Sequence, residues 1–210
     1  MDLNLLFNKQ KQLFQNKKKI DLKERIKKIK QIRSWLKKNE NLIIESILKD
    51  YNKPIVEIYT TEFKPLINHI DFTLKNIKKW YVPKKIKTPF HLLGTSSKIL
   101  YEPKGICLII SPWNYPLNLT LNPLISSIAA GNFNFIKPSE FTPYTSELID
   151  KMINEIFLEQ ENIVVLGNKK IGKELTRLPF DHIFFTGSPT VGKKIMKEAS
   201  QNLCSVTLEL

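Results

Sequence analysis

The chain has 210 residues, of which 42% are hydrophobic and 25% are charged. These proportions are typical of a soluble globular protein, and the length allows one good core or about one and a half domains. The longest apolar run, residues 106–110, is far too short to span a bilayer, so no membrane segment is predicted. The N-terminus lacks the basic start and cleavage site of a signal peptide, which predicts a cytoplasmic location.

The formal net charge of +13 raises the hypothesis of a basic nucleic-acid-binding module. The excess is almost entirely lysine, because Arg25, Arg33 and Arg177 are the only arginines. Proteins usually recognise bases and phosphates with arginine, because its planar guanidinium makes two hydrogen bonds at once, whereas lysine carries a single point charge. Lysine, isoleucine, asparagine and phenylalanine also share A/T-rich codons, so coding bias accounts for the charge. We predict no nucleic-acid partner.

The cysteines and histidines do not form a recognisable site in the sequence. Cys107 and Cys204 each lie in a strand-like run, which favours buried reduced thiols over a disulfide or a metal site. His69, His91 and His182 have no partner at metal or catalytic spacing. No metal is predicted.

The first part of the chain has a helical pattern. Apolar residues from Leu22 to Leu36 recur at three- and four-residue spacing, and Asn39 separates this helix from a second one that extends to about residue 53. Pro54 suits the start of a third helix, which ends before Pro83. Residues 89–101 then predict a hairpin or extended arm with Gly94-Thr95 at its turn.

After the arm, short apolar strands alternate with helices. The predicted strands are residues 106–110, 133–137, 162–166, 182–186 and 205–210, and the predicted helices are 117–130, 142–158, 170–178 and 189–200. This alternation predicts an α/β fold with a parallel sheet of about five strands and helices on both faces. Ligands bind such sheets outside the carboxyl ends of the strands. The polar motifs of this chain fall at those ends.

The first motif, residues 185–193, joins a strand to a helix. Gly187 allows close approach of a ligand to the backbone, Ser188 offers a hydroxyl, and Pro189 suits a first helical turn. A helix start of this kind presents free N–H groups to a phosphate. The dinucleotide pattern G-x-G-x-x-G is absent, so the motif alone indicates a weak anion site or an ordinary turn.

A second motif, residues 136–140, follows the second strand of the sheet. Lys137 and Glu140 can hydrogen-bond neighbouring ribose hydroxyls, and Ser139 or Thr142 can cap the next helix. The alternative interpretation is an ordinary capped loop.

The third motif, residues 111–116, and a C-terminal glutamate carry the candidate chemistry. Asn114, in a stiff turn between two prolines, can direct its amide at a developing oxyanion, unless the turn is only structural. Glu209 lies on the last predicted strand, where apolar neighbours would desolvate its carboxylate and suit it to general-base work. The alternative for Glu209 is an exposed side chain near the chain end.

Taken together, these motifs resemble the aldehyde dehydrogenase superfamily, and within it the class 3-like branch that acts on fatty and aromatic aldehydes. Other stretches that carry the resemblance are residues 51–54, 57–62, 102–105, 113–120, 180–188 and 206–210. The similarity covers nearly the whole chain. It implies a Rossmann-like cofactor-binding domain and NAD(P)-dependent oxidation of an aldehyde through a cysteine thioester.

The resemblance also implies roles for individual residues. Lys137 and Glu140 would hold the adenosine ribose, Ser188 with the Gly187 backbone the pyrophosphate, and Val191 would flank the adenine. Ile110, Pro112 and Trp113 would line the approach to the nicotinamide ribose. Asn114 would be half of the oxyanion hole, and Glu209 would activate water. Glu140 favours NAD over NADP because a carboxylate near the ribose 2′ position repels a phosphate, although the branch often accepts both.

The resemblance further implies what lies outside these residues. The sequence ends before the family's Gly-Gly-Lys and nucleophilic cysteine, so we expect the catalytic domain to be absent and a C-terminal fragment to be required as partner. The expected division is 1–88 helical, 89–103 oligomerisation arm and 104–210 NAD(P)-binding, and the completed protein would be a homodimer. The alternative is an inactive truncated product that retains at most dinucleotide binding.

Overall fold

The computed structural model describes residues 2–17, 21–157 and 160–210. The helices are α1 Leu3–Asn16, α2 Leu22–Lys38, α3 Glu40–Asp50, α4 Ile55–Glu57, α5 Lys64–Tyr81, α6 Asn118–Ala130, α7 Pro143–Ile156, α8 Lys169–Leu175 and α9 Pro189–Ser200. The strands are β1 Lys84–Ile86, β2 Ser97–Ile99, β3 Ile106–Ile110, β4 Phe133–Lys137, β5 Asn162–Val164, β6 His182–Thr186 and β7 Ser205–Glu209. None of the described helices is long and apolar enough to cross a membrane.

The main sheet is parallel and has the order β5-β4-β3-β6-β7. The chain builds outwards from β3 through β4 to β5, then returns to the other side of β3 with β6 and β7. The order therefore reverses between β3 and β6, which is where doubly wound sheets leave a crevice for a ligand. The fold class predicted from the sequence is confirmed.

Two apolar cores cover the two faces of this sheet. Helices α2, α3, α5, α6 and α7 pack on one face, where Ile109 and Ile136 point from the central strands. Helix α1 and the later helices α8 and α9 pack on the other face, around Phe133, Phe135 and Ile183. Because both faces are buried at the centre of the sheet, β3 is continuously apolar, as predicted, whereas the neighbouring β4 also contains the buried Asn134.

Most of the predicted elements are confirmed, with shifted ends. Helix α6 begins at Asn118 and ends at Ala130, and the following Gly131, with a φ of +91°, has the left-handed backbone that closes a helix. Strand β5 ends at Val164 rather than at residue 166, and α8 ends at Leu175 rather than at residue 178. Helix α7 ends at Ile156, and residue 158 of the prediction lies outside the described residues.

Two elements depart from the sequence-based expectation. The lysine-rich opening contains helix α1, which the sequence analysis missed; Asp2 caps it by accepting a hydrogen bond from the Leu5 N–H. The hairpin arm starts at Lys84, before the predicted residue 89, because β1 pairs with β2 in antiparallel register. A short 3₁₀ turn and Gly94, with φ +94°, connect the two strands.

The third predicted helix contains an irregularity. Between α4 and α5 the chain forms a π-helical turn, Ile58–Phe63, whose wider spacing interrupts the regular α-helix. Glu62 lies in this turn and is fully buried. Such turns are frequent at functional sites because they redirect side chains.

Candidate active site at the carboxyl edge of the sheet

The strand ends bring the predicted motifs to one edge of the sheet. The backbone N–H of Ser111, after β3, donates to the Lys137 carbonyl at the end of β4 over 3.2 Å. The N–H of Gly187, after β6, donates to the Glu209 carbonyl at the end of β7 over 3.0 Å. These bonds continue the parallel ladders beyond the strands and hold the loops in fixed register.

The turn after β3 is held from inside. Ser111 Oγ lies 2.6 Å from Thr120 Oγ1, which in turn donates to the Pro116 carbonyl over 2.6 Å. Both hydroxyl-bearing residues are buried. Trp113 and Asn114, at the tip of the turn, are exposed. These internal hydrogen bonds therefore fix the backbone of the turn, while the Trp113 and Asn114 side chains extend from it.

Lys137 and Glu140 form an ion pair after β4. Lys137 is only 4% exposed, and its Nζ lies 3.0 Å from Glu140 Oε2 and 2.9 Å from the Pro138 carbonyl. Partial burial alone would raise the pKa of Glu140, but hydrogen bonds from its own backbone N–H and from Lys137 outweigh that effect and lower the pKa. An ionised carboxylate and an ammonium side by side are suited to paired ribose hydroxyls.

The capping prediction for the following helix was wrong. Thr142 is the residue before α7, but its side chain makes no cap hydrogen bond. Instead Asp50, from the end of α3, accepts from the N–H groups of Tyr144 and Thr145 over 2.9 and 2.8 Å. A carboxylate at a helix start is favourable because the N–H groups there lack partners within the helix. Ser139 instead accepts from the Phe141 N–H.

The turn after β6 leads into an exposed helix start. Helix α9 begins at Pro189, and the preceding Ser188 makes no cap hydrogen bond of its own. A Cβ on Gly187 would lie 2.5 Å from Cζ of Phe185, so the absence of a side chain is also required by packing. Val191, in the first turn of the helix, is 38% exposed. The N-terminus of α9 is thus open towards solvent.

Glu209 does not have the apolar surroundings that the sequence predicted. Its side chain is exposed. The reason is topological: β7 is the edge strand of the sheet and pairs only with β6. Within the described residues, the Glu209 side chain is therefore open to the cleft.

An open cleft of about 1840 Å³ connects part of the site. Its lining includes Pro112, Trp113, Asn114, Gly187 and Glu209. The other predicted residues, Ile110, Lys137, Glu140, Ser188 and Val191, are not among those that line the cleft. After the roles predicted from the sequence, we call Asn114 and Glu209, which both line the cleft, the aldehyde end, and Lys137, Glu140, Gly187 and Ser188 the cofactor end.

The remaining nucleophiles and histidines do not complete a site. Cys107 and Cys204 are free thiols, and burial raises the pKa of both, that of Cys107 to about 12. His182 lies between hydroxyls, with Nδ1 2.8 Å from Ser205 Oγ. Among the described residues no group of three or more His, Cys, Asp or Glu side chains could hold a metal.

Sequence reasoning assigned no role to a buried cluster behind the third motif. Tyr51, Lys53 and Glu62 all contact the turn or the helix that follows it. They occur in stretches that carried the family resemblance, but their partners lie more than fifty positions away. No local pattern could have indicated these contacts.

Comparison with known proteins accounts for this geometry. The model of the aldehyde dehydrogenase family matches residues 1–210. Aldehyde dehydrogenase family 3 member A2 of Pongo abelii is 35% identical over 200 residues, which cover 95% of this chain and 41% of that protein. Other curated relatives are likewise matched over only 44% of their length.

Solved structures give the same result. A substrate-bound AldH of Staphylococcus aureus superposes with a TM-score of 0.96 at 39% identity and covers 100% of this chain and 46% of its own. A betaine aldehyde dehydrogenase from the same species, solved with NAD⁺, superposes with a TM-score of 0.89 at 27% identity, over 98% of this chain and 41% of that chain. With this fold, these strand-end motifs and these relatives, the chain belongs to the aldehyde dehydrogenase family.

Proposed function

We propose that this chain binds NAD and supplies the oxyanion and water-activating groups of an aldehyde dehydrogenase. The observation that carries the proposal is the convergence of three motifs and Glu209 on one edge of a doubly wound sheet. Such an edge is where this class of fold binds dinucleotides. The whole protein would oxidise an aldehyde to a carboxylic acid.

The residues present fit the cofactor. The paired Lys137 and Glu140 would hold the adenosine ribose, and the uncapped start of α9 at Ser188 would receive the pyrophosphate. Val191 would flank the adenine, while Ile110, Pro112 and Trp113 would guide the nicotinamide ribose. When bound, the nicotinamide accepts the hydride that leaves the aldehyde carbon.

The aldehyde end would act on the carbonyl and on water. The Asn114 amide would donate to the oxygen that becomes negative when a thiolate adds to the aldehyde. Glu209 would remove a proton from the water that releases the acid from the thioester. We propose that the thiolate belongs to a catalytic part of the protein outside these 210 residues. Neither Cys107 nor Cys204 suits the role, because a raised pKa keeps a thiol protonated.

Activity in the presence of a catalytic part tests the proposal. The chain would be joined to the catalytic half of the Staphylococcus aureus relative, and aldehyde-dependent NADH formation would be followed at 340 nm. We expect activity whose kcat falls by roughly 10²- to 10³-fold with Asn114→Ala, the usual cost of losing one oxyanion donor. A chimera that folds and binds NAD but leaves every aldehyde unchanged would favour the alternative, an inactive product that retains dinucleotide binding.

Cofactor preference is tested on the 210-residue chain. Because the Glu140 carboxylate would repel a 2′-phosphate, we propose that NAD binds more tightly than NADP. Both dinucleotides would be titrated by calorimetry into the wild-type chain and into Glu140→Gln. We expect NAD to bind more tightly than NADP to the wild type, and the ratio of the two dissociation constants to be closer to one in the variant. Equal affinities in the wild-type chain would contradict the assignment of Glu140 to the ribose.

The arm formed by β1 and β2 supports a further part of the proposal. It exposes large apolar side chains, including Phe90 at 86% and Leu93 at 74%. Exposed apolar surface of this kind marks interaction sites. We propose that the arm mediates a homodimer of the protein that includes the catalytic part. We also propose that this protein acts on a small-molecule aldehyde and is located in the cytoplasm. Light scattering of the chimera with and without Phe90→Ser and Leu93→Ser tests the dimer.

A further inference from the structure

A buried charge cluster lies directly behind the turn that carries Asn114. Glu62, in the π-helical turn, is fully buried, and Lys53 is 8% exposed. Lys53 Nζ lies 3.3 Å from Glu62 Oε1, and the oxygen of the Tyr51 hydroxyl lies 3.3 Å from the same carboxylate oxygen. The cluster defined by Tyr51, Lys53 and Glu62 has no place in the proposed chemistry, since none of its members lines the cleft.

One side of the cluster holds helix α6. The other carboxylate oxygen of Glu62, Oε2, accepts from the backbone N–H of Leu117 over 2.9 Å and of Asn118 over 3.4 Å. Leu117, which precedes the helix, has no side chain that could cap it. Glu62 therefore replaces a local cap and fixes where α6 begins.

The other side of the cluster holds Asn114. The Asn114 backbone carbonyl accepts from the Tyr51 hydroxyl over 2.8 Å and from Lys53 Nζ over 3.0 Å. Lys53 also lies 4.1 Å from the ring centroid of Tyr115, a cation–π contact. The turn is thus fixed at Asn114 and again at Leu117, on both sides of Pro116.

The Glu62 carboxylate interacts electrostatically with Lys53 and with Tyr51, so loss of any one of these side chains would disturb the cluster. Burial raises the pKa of Glu62, and the Lys53 charge and the two helix N–H groups oppose that shift. Burial followed by the Glu62 charge also raises the pKa of the Tyr51 hydroxyl, which stays protonated as a donor. Removing Lys53 would leave a buried carboxylate without its counter-charge, which is unfavourable.

The Asn114 side chain itself is exposed to the cleft. Among the described residues, the hydrogen bonds of Asn114 are made by its backbone carbonyl and not by its side-chain amide, so its main chain is the part that these residues hold. A displacement of an oxyanion donor by about 1 Å is enough to cost activity, because the donor must already point at the developing charge.

We propose that Tyr51, Lys53 and Glu62 are positioning residues that hold the Asn114 backbone and thereby aim its amide at the aldehyde oxygen. The inference rests on the proposed role of Asn114. The proposal predicts that mutations in the cluster change the rate of the reaction only by displacing Asn114.

The first test uses the 210-residue chain and needs no activity. In a ¹⁵N-asparagine-labelled sample, the Asn114 side-chain amide would be identified by its absence in Asn114→Asp. We expect Lys53→Met and Tyr51→Phe to shift or broaden this resonance, while Lys64→Met, an exposed lysine of α5, leaves it unchanged. Tyr51→Phe removes one hydroxyl and retains the ring, so it carries the test if Lys53→Met does not fold. An unchanged Asn114 resonance in a folded cluster variant would overturn the proposal.

The second test is a double-mutant cycle in the chimera with a catalytic half. Lys53→Met should lower kcat by roughly tenfold or more, with the NAD dissociation constant unchanged. In an Asn114→Ala background the same substitution should lower kcat by less than about twofold, because its target is gone. Equal losses in both backgrounds would show a merely structural role. If the wild-type chimera is inactive, the proposed function fails, and the resonance test still decides the positioning role.

Discussion

The two ends of the candidate site differ in burial: the cofactor end includes a buried side chain that packs against other residues of the chain, whereas the side chains of the aldehyde end are exposed. At the cofactor end, Lys137 is buried and paired with Glu140, and the Gly187 turn packs on the Phe185 ring. At the aldehyde end, Asn114 and Glu209 are both exposed. The proposed cofactor end is therefore held in place by contacts within these residues, whereas the proposed aldehyde end presents its groups to an open cleft. Dinucleotide binding and aldehyde chemistry should respond separately to mutation.

The largest effect should come from the cofactor end. Lys137→Met removes a buried ammonium, and a charged hydrogen bond contributes about 1.5–3 kcal/mol. We expect the affinity for NAD, measured by calorimetry on the chain, to fall roughly tenfold or more. The control is Lys170→Met, an exposed lysine of α8. Unchanged NAD affinity in Lys137→Met would show that the cofactor end does not bind the ribose.

Gly187→Ala should reduce stability as well as binding. The added Cβ would lie 2.5 Å from Cζ of Phe185, so the ring or the turn must move. Overpacking of this kind costs about 1–3 kcal/mol in the free energy of unfolding, measured by urea denaturation. If Phe185→Leu is added to Gly187→Ala, the smaller side chain should restore part of the free energy of unfolding that Gly187→Ala loses. Additive destabilisation by the two substitutions would contradict a clash between them.

A smaller, pH-dependent effect should distinguish the ion pair of the cofactor end. Because the folded-state pKa of Glu140 is lowered, its stabilising contribution is fully present above its unfolded pKa of about 4.3 and is lost as the pH falls through the folded value. The stability difference between wild type and Glu140→Gln should therefore shrink as the pH falls below about 4.3.

The measurement for this pH effect is urea unfolding at a series of pH values from neutral to acidic. Glu147→Gln, at an exposed position of α7, is the matched control for loss of a carboxylate. A difference that stays constant over the acid range would mean that the pair with Lys137 does not stabilise the folded chain.

The smallest effect on binding should come from the aldehyde end. Glu209→Gln changes an exposed residue of the edge strand, so NAD affinity of the chain should stay within about twofold. In the chimera the same variant should still form the first NADH but release acid slowly, because water activation is impaired. A large loss of NAD affinity in the isolated chain would remove the distinction between the two ends.

Local sequence was sufficient for the elements whose signals are local. Continuous apolar runs predicted the parallel strands, and Gly131 predicted the end of α6, because a left-handed residue is needed there. Helix α1 was missed because its lysine-rich surroundings obscured the apolar face formed by Leu3 and Phe7. The wider spacing of the π-helical turn also has no single-sequence signature.

The sequence by itself determined the family, the alternation of strands and helices, and the placement of polar motifs at strand ends. These follow because hydrophobic periodicity and turn chemistry act over a few residues, and parallel strands align their carboxyl ends. Only the tertiary structure decided that Asp50 caps α7, that Glu62 caps α6 and that Glu209 is exposed. Each of these depends on which distant segments pack together, and contacts between residues tens of positions apart leave no local pattern.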